Sequence, residues 1–255
     1  MYAEERQQAI ADLLSQRGRL SVNELADRFM VTTETVRRDL STLERAGIVR
    51  RVHGGAIPAA SLSVLELAVS ERDLTHGERK DRVASAAVEF LPRAGGSLLL
   101  DAGTTTARLA GLLPLDVSFT VFTNAVPIAS RLAGRGNVEL HLLPGRVRRT
   151  TQAAVGEETV AALDRIRADI AFVGTNGLSL SHGLSTPDQS EAAAKHAMVC
   201  SAQRVVVLTD SSKIGHESTV RFADLSQIDV IITDDGISAE DQKSLTDIDI
   251  EVVVA

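Results

Sequence analysis

The hydrophobic and polar positions of residues 1–57 alternate with the period of short helices. Apolar residues at i, i+3 and i+4 within residues 4–16 predict a first amphipathic helix. Ser21, with Glu24 three residues later, forms a capping box that opens a second helix. After a three-residue turn, a third helix begins near Thr33. The predicted order is helix, short helix, tight turn, helix.

The third predicted helix carries polar residues opposite its apolar stripe of Val36, Leu40 and Leu43. This polar face suits a recognition helix, because Arg binds guanine bidentately, Thr methyls contact thymine, and hydroxyls hold phosphate. Residues 48–52 predict a strand and residues 53–55 a tight hairpin turn, so a wing follows. The candidate DNA-binding residues are Ser21, Thr33, Glu34, Thr35, Arg37, Arg38, Ser41, Arg45, Arg50, Arg51 and His53.

From residue 75 onward, helical patterns alternate with short apolar runs. The predicted helices are 78–90, 105–113, 125–133, 157–166 and 190–202, and the predicted strands are 97–100, 118–123, 138–143, 170–173, 204–208, 230–233 and 250–254. This alternation predicts a doubly wound α/β domain with a mostly parallel sheet, whose ligands bind beyond the carboxyl ends of the strands. Residues 58–74 lose a clear period and predict a linker with one helical turn near 65–69. The predicted domains are therefore 1–57, a winged helix-turn-helix, and 75–255.

Small polar residues follow several predicted strands. The run from Asp101 to Thr106 directs backbone N–H groups and three hydroxyls to one helix amino terminus, so we expect an anion there. The run lacks both the Gly-Lys-Ser/Thr of a Walker loop and a G-x-G-x-x-G fingerprint, so nucleotide binding has little support. Taken alone, it also fits an ordinary capped helix. Similar polar runs follow other predicted strands at 123–124, 145–146, 174–177 and 210–213. Together, the five loops predict a polyol and phosphate pocket in which Lys213 or Arg146 supplies positive charge.

Composition and charge place the chain among ordinary two-domain globular proteins. Its 255 residues are 44% hydrophobic and 24% charged, with a single cysteine, Cys200, that has no disulfide partner. We expect a cytoplasmic protein, because residues 1–8 do not resemble a signal peptide and no stretch approaches a membrane span. The net charge is −7, but nine arginines against eight carboxylates leave +1 on residues 1–57 and −8 on the remainder. The six histidines lack metal-ligand spacing, so neither a metal nor a cofactor is expected.

Several runs resemble the DeoR-type family of bacterial sugar-metabolism regulators. In the amino-terminal domain these are residues 6–10, 25–29, 31–40 and 50–56, and in the large domain the polar strand ends with residues 183–186 and 191–195. The resemblance covers nearly the whole chain, is closest to regulators of fructose and other phosphotransferase-imported sugars, and implies a phosphorylated sugar as effector. The candidate effector-binding residues are Asp101, Gly103, Thr104, Thr105, Thr106, Thr123, Asn124, Gly145, Arg146, Thr175, Asn176, Gly177, Ser185, Thr186, Glu191, Lys195, Asp210 and Lys213.

Other classes of function also fit parts of the sequence. The predicted sensor fold is similar to ribose-5-phosphate isomerase and coenzyme A transferases, which raises an enzyme as a rival. The isomerase pattern Ser-Asp-Gly-Ala-Asp is matched here by residues 175–179, which lack the carboxylates. Glu191 and Lys195 fit a ligand contact or an i, i+4 ion pair better than an acid–base pair, so we predict no enzymatic activity. In the remaining alternatives, the amino-terminal domain contacts protein or its arginines are merely solvated; neither predicts salt-dependent DNA affinity.

The sequence thus predicts a repressor of sugar uptake or catabolism genes that a phosphorylated sugar, such as a fructose phosphate, releases from double-stranded operator DNA. Reading two half-sites requires two DNA-binding domains at a fixed spacing, so we expect a dimer or tetramer. The effector weakens DNA binding if it binds better to the arrangement that mismatches the operator. No membrane partner is expected.

Overall fold

The computed structural model describes residues 3–17, 20–46, 48–52, 54–58 and 76–255. The chain divides into two compact units, residues 1–65 and 66–255. Apart from Pro58, the predicted linker 58–74 lies outside the described residues, as does the helical turn predicted near 65–69.

The first unit has the helix, short helix, turn, helix order followed by a β-hairpin. Its elements are α1 (Ala3–Arg17), β1 (Leu20–Ser21), α2 (Val22–Phe29), α3 (Thr33–Arg45), β2 (Val49–Val52) and β3 (Gly55–Pro58). Strand β3 pairs antiparallel with β2 to form the wing and with β1 on its other side. The two-residue strand β1 was not predicted, because a period cannot be read from two residues.

One apolar core holds the first unit together. Ile10, Leu14, Leu25 and Leu40 are fully buried, as the helical spacing predicts. Burying each such side chain contributes roughly 1.5–3 kcal/mol. Because all three helices contribute to this core, the outward face of α3 is fixed relative to α1 and α2.

A charged residue is also buried in this unit. Asp39, on α3, is only 4% exposed. Its carboxylate accepts hydrogen bonds from Arg6 Nε at 2.6 Å and from Gln7 Nε2 at 2.9 Å. The hydrogen bond to Asp39 and the charge of Asp39 raise the pKa of Arg6, against an opposing effect of burial. Together the bonds from Arg6 and Gln7 tie α1 to α3. Asp39 therefore helps to hold α3 in place and does not belong to the solvent-exposed face of that helix.

The second unit is built on a seven-stranded parallel sheet. Its strands are β4 (Ser97–Leu100), β5 (Phe119–Thr123), β6 (Val138–Leu142), β9 (Ala168–Gly174), β12 (Ala202–Leu208), β14 (Val230–Thr233) and β15 (Glu251–Val254). The order β15-β14-β12-β9-β4-β5-β6 reverses direction between β4 and β9. This reversal is the topological switch point, where doubly wound sheets bind ligands.

Helices cover both faces of this sheet. They are α4 (Gly77–Ala87), α5 (Thr104–Leu112), α6 (Val126–Leu132), α7 (Glu157–Leu163), α8 (Gln189–Cys200) and α9 (Ala239–Thr246). Apolar residues of α4, α5 and α6 pack with Leu98 and Leu100 on one face, and those of α7, α8 and α9 pack with Leu99 on the other. Alternate residues of a strand point to opposite faces, so both faces of β4 need apolar side chains.

The structure adds elements that the sequence analysis did not predict. They are the hairpin of β7 (Arg146–Val147) and β8 (Ala154–Val155), the antiparallel sheet of β10 (Gly177–Ser179), β11 (Gly183–Thr186) and β13 (Val220–Ala223), and helix α9. The predicted bounds of the other elements in this unit agree with the structure to within three residues. The predicted fold class is confirmed.

Candidate DNA-binding face and effector site

Caps and a tight turn set the position of α3. The Ser21 hydroxyl accepts the N–H of Glu24, and the Glu24 carboxylate accepts the N–H of Ser21, which completes the predicted capping box. Met30 then adopts a left-handed conformation with φ 52°. Thr32 caps α3 by accepting the N–H of Thr35 at 3.2 Å.

The amino-terminal half of α3 presents charged side chains to solvent. Glu34, Arg37 and Arg38 are all exposed. Glu34 lies 3.9 Å from Arg37 and 3.8 Å from Arg38, as long ion pairs that solvent screens. Thr33 and Thr35 are half-buried at the start of the same helix. Both arginines are therefore available to a ligand at little energetic cost.

The carboxyl-terminal half of α3 is linked to the wing. The Arg51 guanidinium, on β2, donates to the Ser41 hydroxyl at 2.9 Å, and the Arg51 N–H donates to the Glu44 carboxylate at 2.9 Å. Arg45 is exposed on the last turn of α3. Helix and wing thus form one continuous polar surface. Of the other wing candidates, Arg50 lies on β2 and His53 lies outside the described residues.

In the second unit, an ion pair spans the switch point. Asp101, directly after β4, accepts a short hydrogen bond from Lys195 of α8 and the N–H of Gly174, at the end of β9, at 3.0 Å. Lys195 also donates to the Gly174 carbonyl at 2.9 Å. Both charged side chains are buried. The pair fixes the ends of the two central strands to each other.

Helix α5 begins beside this pair and has an open amino terminus. Thr104, Thr105 and Thr106 supply its first three N–H groups, for which the described residues provide no acceptor. Nor does any described residue bond the Thr104 and Thr105 hydroxyls. Thr106 differs, because its hydroxyl donates within the turn to the carbonyls of Asp101 at 2.7 Å and Gly103 at 3.0 Å. Two of the three predicted hydroxyls thus remain available to an anion.

The loop after β5 holds its neighbours by internal hydrogen bonds. The Thr123 hydroxyl donates to the Leu100 carbonyl at 2.6 Å. The Asn124 side chain accepts the N–H of Ala102 at 3.2 Å and donates to the Ala154 carbonyl at 3.0 Å. Both side chains are buried, so they fix the α5 loop and the β7–β8 hairpin.

The antiparallel sheet next to β9 binds most of its own polar groups. The Thr175 hydroxyl donates to the Gly177 carbonyl at 2.7 Å, and Ser185 accepts the N–H of Ser218 at 2.8 Å. The buried Thr186 hydroxyl donates to Asn176 Oδ1 at 3.1 Å. Asn176 is half-buried, and no described residue bonds its Nδ2.

Glu191 and Lys195, the two candidate residues on α8, form ion pairs with different residues. Glu191 lies 2.6 Å from Arg148, and Lys195 bonds Asp101 instead. The i, i+4 ion pair considered from the sequence is therefore wrong. Arg146, the arginine predicted to serve the pocket, is exposed on β7, which follows Gly145. Arg148 was not predicted, because nothing in the sequence separates it from Arg146.

The loop after β12 brings the second predicted cation to the sheet edge. Asp210 is buried and accepts both the N–H and the hydroxyl of Ser212. Lys213 is half-buried, and no described carboxylate pairs with it. Burial and the charge of Lys213 lower the pKa of His216, against an opposing effect of Asp210. His216 is therefore neutral at neutral pH, and Lys213 supplies the positive charge.

The fully buried carboxylate of Asp234 holds this loop in place. Asp234, after β14, accepts the N–H of Ser211 at 2.7 Å and of Gly236 at 3.0 Å, and lies 3.4 Å from Arg79 of α4. Burial alone would raise the pKa of Asp234, but these hydrogen bonds, that of the Ser211 hydroxyl and the Arg79 charge hold it below its ordinary value. The arrangement positions the turn that carries Lys213.

Two negative findings apply to the described residues only. No group of three or more His, Cys, Asp or Glu side chains there is arranged to hold a metal ion. No helix there has the length and apolar character needed to cross a membrane.

Comparison with known proteins decides the family. Residues 6–61 match the family model of the DeoR-like helix-turn-helix domain, and residues 75–235 match that of the DeoR C terminal sensor domain. The chain belongs to the DeoR family. It is 37% identical to the HTH-type transcriptional regulator GlpR of Haloferax volcanii, over 99% of this chain and 98% of that protein. It is 34% identical to the putative aga operon transcriptional repressor of Escherichia coli O157:H7, over 98% and 93%.

These relatives confirm that this DeoR-family chain is a DNA-binding transcription regulator and not an enzyme. A solved structure, ribose 5 phosphate isomerase A from Neisseria gonorrhoeae, is similar at a TM-score of 0.39 and 15% identity over 56% of this chain and 55% of that one. A likeness this distant says nothing about activity.

Proposed function

We propose that this regulator represses sugar uptake or catabolism genes and leaves its operator when a phosphorylated sugar, such as a fructose phosphate, binds the carboxyl edge of the sensor sheet. It acts in the cytoplasm as a dimer or tetramer. One observation carries the effector assignment: α5 begins at the switch point with N–H groups and two hydroxyls to which no described residue is bonded. The relative named as an operon repressor supports repression as the mode of action.

The geometry favours a phosphate at α5, because a helix amino terminus carries partial positive charge and directs N–H groups at an anion. Thr104 and Thr105 add hydroxyl donors, and Lys213 adds a full charge at the same sheet edge. Asn176 Nδ2 is available to a sugar hydroxyl. Most of the other predicted residues, Glu191 among them, hold the surrounding loops, and so does Arg148, which was not predicted.

Effector release tests the sensor half. Operator DNA is titrated at fixed salt with fructose 1-phosphate, fructose 6-phosphate, glucosamine 6-phosphate and unphosphorylated fructose. We expect one phosphate ester to release the DNA and fructose to have no effect. Thr105→Val should raise the half-releasing concentration about tenfold, since a hydrogen bond to a charged group contributes about 1.5 kcal/mol or more. Thr120→Val, on β5 far from the carboxyl end, is the matched control. Tight DNA binding that no phosphate ester weakens would contradict the effector assignment.

Operator affinity and its salt dependence test the DNA half. Arg38→Ala should weaken operator binding by about 1–3 kcal/mol if Arg38 contacts a base, or lower the salt slope by about one if it contacts phosphate. Arg17→Ala, an exposed arginine at the end of α1, is the control. Unchanged affinity and slope in Arg38→Ala would remove Arg38 from the recognition face.

A further inference from the structure

Strand β6 leaves its outer edge unpaired. It is the outermost strand on one side of the seven-stranded sheet, and no strand in the described part of the chain pairs with that edge. Just beyond it, the N–H of Leu143 bonds the Thr123 carbonyl of β5 at 2.8 Å. The peptide groups of successive residues in a strand point to opposite sides. Because Leu143 directs its N–H at β5, Leu140 and Leu142 direct their N–H and C=O groups at the outer edge. Such an edge is a template for another strand.

The sequence of β6 is complementary to itself when read antiparallel. It runs Val138, Glu139, Leu140, His141, Leu142, with an apolar residue at its centre and at both ends. When two copies are related by a two-fold axis at Leu140, Glu139 of each copy lies opposite His141 of the other. The same axis places Val138 opposite Leu142. Glu139 and His141 are both exposed and lie 3.4 Å apart on one face of their own strand.

The hydrogen-bond pattern of the edge fits this register at the centre of β6, whereas the N–H of Val138 bonds the carbonyl of Arg135 in its own chain at 3.2 Å. Leu140 directs its peptide groups outward, so it forms a hydrogen-bonded pair with its own symmetry mate. The flanking Glu139–His141 pairs are then of the non-hydrogen-bonded kind, in which cross-strand side chains approach most closely. In each pair an imidazole N–H of His141 can donate to the Glu139 carboxylate, and a protonated imidazole adds an opposite charge. On the other face, Val138 of the second copy covers Leu142, which is 52% exposed.

The opposite edge of the sheet lacks this complementarity. β15 carries one charged residue, Glu251, followed by three valines. Glu251 pairs with Arg204 of its own chain at 3.0 Å. The rest of β15 is apolar, so antiparallel pairing of two β15 strands places no polar partner opposite Glu251, and the two edges are not equivalent.

We propose that β6 pairs with β6 of a second copy of this chain, antiparallel about Leu140, and joins the two sensor sheets into one continuous sheet. The contact is isologous, because the same surface serves both copies. Its two-fold symmetry is the kind that paired DNA half-sites require, but the inference rests on the strand alone and stands apart from the assignment of operator or effector.

Charge reversal with mixing tests the proposal on the full-length chain, by sedimentation velocity and light scattering. Glu139→Lys brings a lysine to His141 of the other copy, and His141→Glu brings two glutamates together. Each variant alone should associate at least about tenfold more weakly. On dilution it should fall to half the wild-type mass at concentrations at which the wild-type chain is still associated. An equimolar mixture should regain the wild-type mass, since the lysine of one variant then faces a glutamate of the other.

Glu251→Lys, the same change on the β15 edge, is the matched control and should keep the wild-type mass. A second measurement mixes Glu139→Cys with His141→Cys in a Cys200→Ser background and expects, on oxidation, a disulfide between positions 139 and 141 of different copies. The proposal is overturned by a monomeric wild-type chain, by charge variants that keep the wild-type mass, by a mixture that does not reassociate, or by the absence of that disulfide.

Discussion

Replacing Lys195 with methionine removes one charge of the switch-point ion pair while keeping a side chain of similar length. The Lys195 and Asp101 side chains are only 7% and 2% exposed, so the carboxylate left behind has little access to water. Removing one partner of a buried pair costs about 3–5 kcal/mol, because the other charge stays buried without compensation. Here the N–H of Gly174 still donates to Asp101, so we expect the lower end, about 3 kcal/mol.

Urea unfolding followed by circular dichroism measures this loss. If the two units unfold independently, they give two unfolding transitions. The loss of stability in Lys195→Met should then appear in the transition of the larger unit, as a lower midpoint urea concentration. Lys243→Met, at an exposed position of α9, is the matched control and should change stability by less than about 0.5 kcal/mol. Asp101→Asn combined with Lys195→Met should recover part of the loss, because neither charge then remains buried.

Two results would refute the reasoning. If Lys195→Met costs less than about 1 kcal/mol, the pair does not stabilise the switch point as a buried ion pair should. If the double variant is no more stable than Lys195→Met alone, the cost does not arise from the stranded carboxylate of Asp101.

Three further predictions concern single positions. Gly145→Ala should lower the free energy of unfolding in urea by about 2 kcal/mol or more, because φ is 135° and the new Cβ would lie 2.3 Å from Thr159 Oγ1. The control Gly134→Ala meets no atom within 4 Å and should be nearly neutral. Ser21→Ala should cost the first unit about 1 kcal/mol through loss of the capping box, measured by its thermal midpoint. Because the pKa of Asp234 is lowered in the folded state, wild type should exceed Asp234→Asn in stability at neutral pH, and this advantage should vanish as the pH falls from the ordinary value of 3.8 through the lowered pKa. A gap that does not depend on pH would contradict that assignment.

The central sheet was predictable because its inner strands, such as β4 and β14, are largely buried on both faces. Continuous apolar runs such as 97–100 and 230–233 therefore mark strands, and the helices between them force parallel pairing. The β10-β11-β13 sheet gives no such signal. Its strands have three or four residues, and β11 pairs with β13 across a gap of more than 30 residues. Only the folded chain brings those segments together.

The location of the site was predictable, but the use of each polar side chain was not. Loops at the carboxyl edge of a parallel sheet converge by topology. Whether a hydroxyl faces a ligand or a carbonyl depends on the backbone groups that packing places near it. Thr106 donates within its own turn, while Thr105 has no bonding partner among the described residues, although both belong to one run of threonines. In the same way, only the folded β7–β8 hairpin distinguishes Arg148, which meets Glu191, from Arg146.

Lys195 also contributes to the proposed induction, although it does not contact the effector. Asp101 puts a negative charge directly before α5, where it would repel a phosphate bound at Thr104 and Thr105. Lys195 cancels that charge inside the protein and leaves the partial positive charge of the helix terminus dominant at the surface. If a phosphate binds there as proposed, Lys195→Met must raise the effector concentration needed for release, while the double variant with Asp101→Asn restores it toward wild type. A ligand contact by Lys195 would instead leave both variants equally impaired.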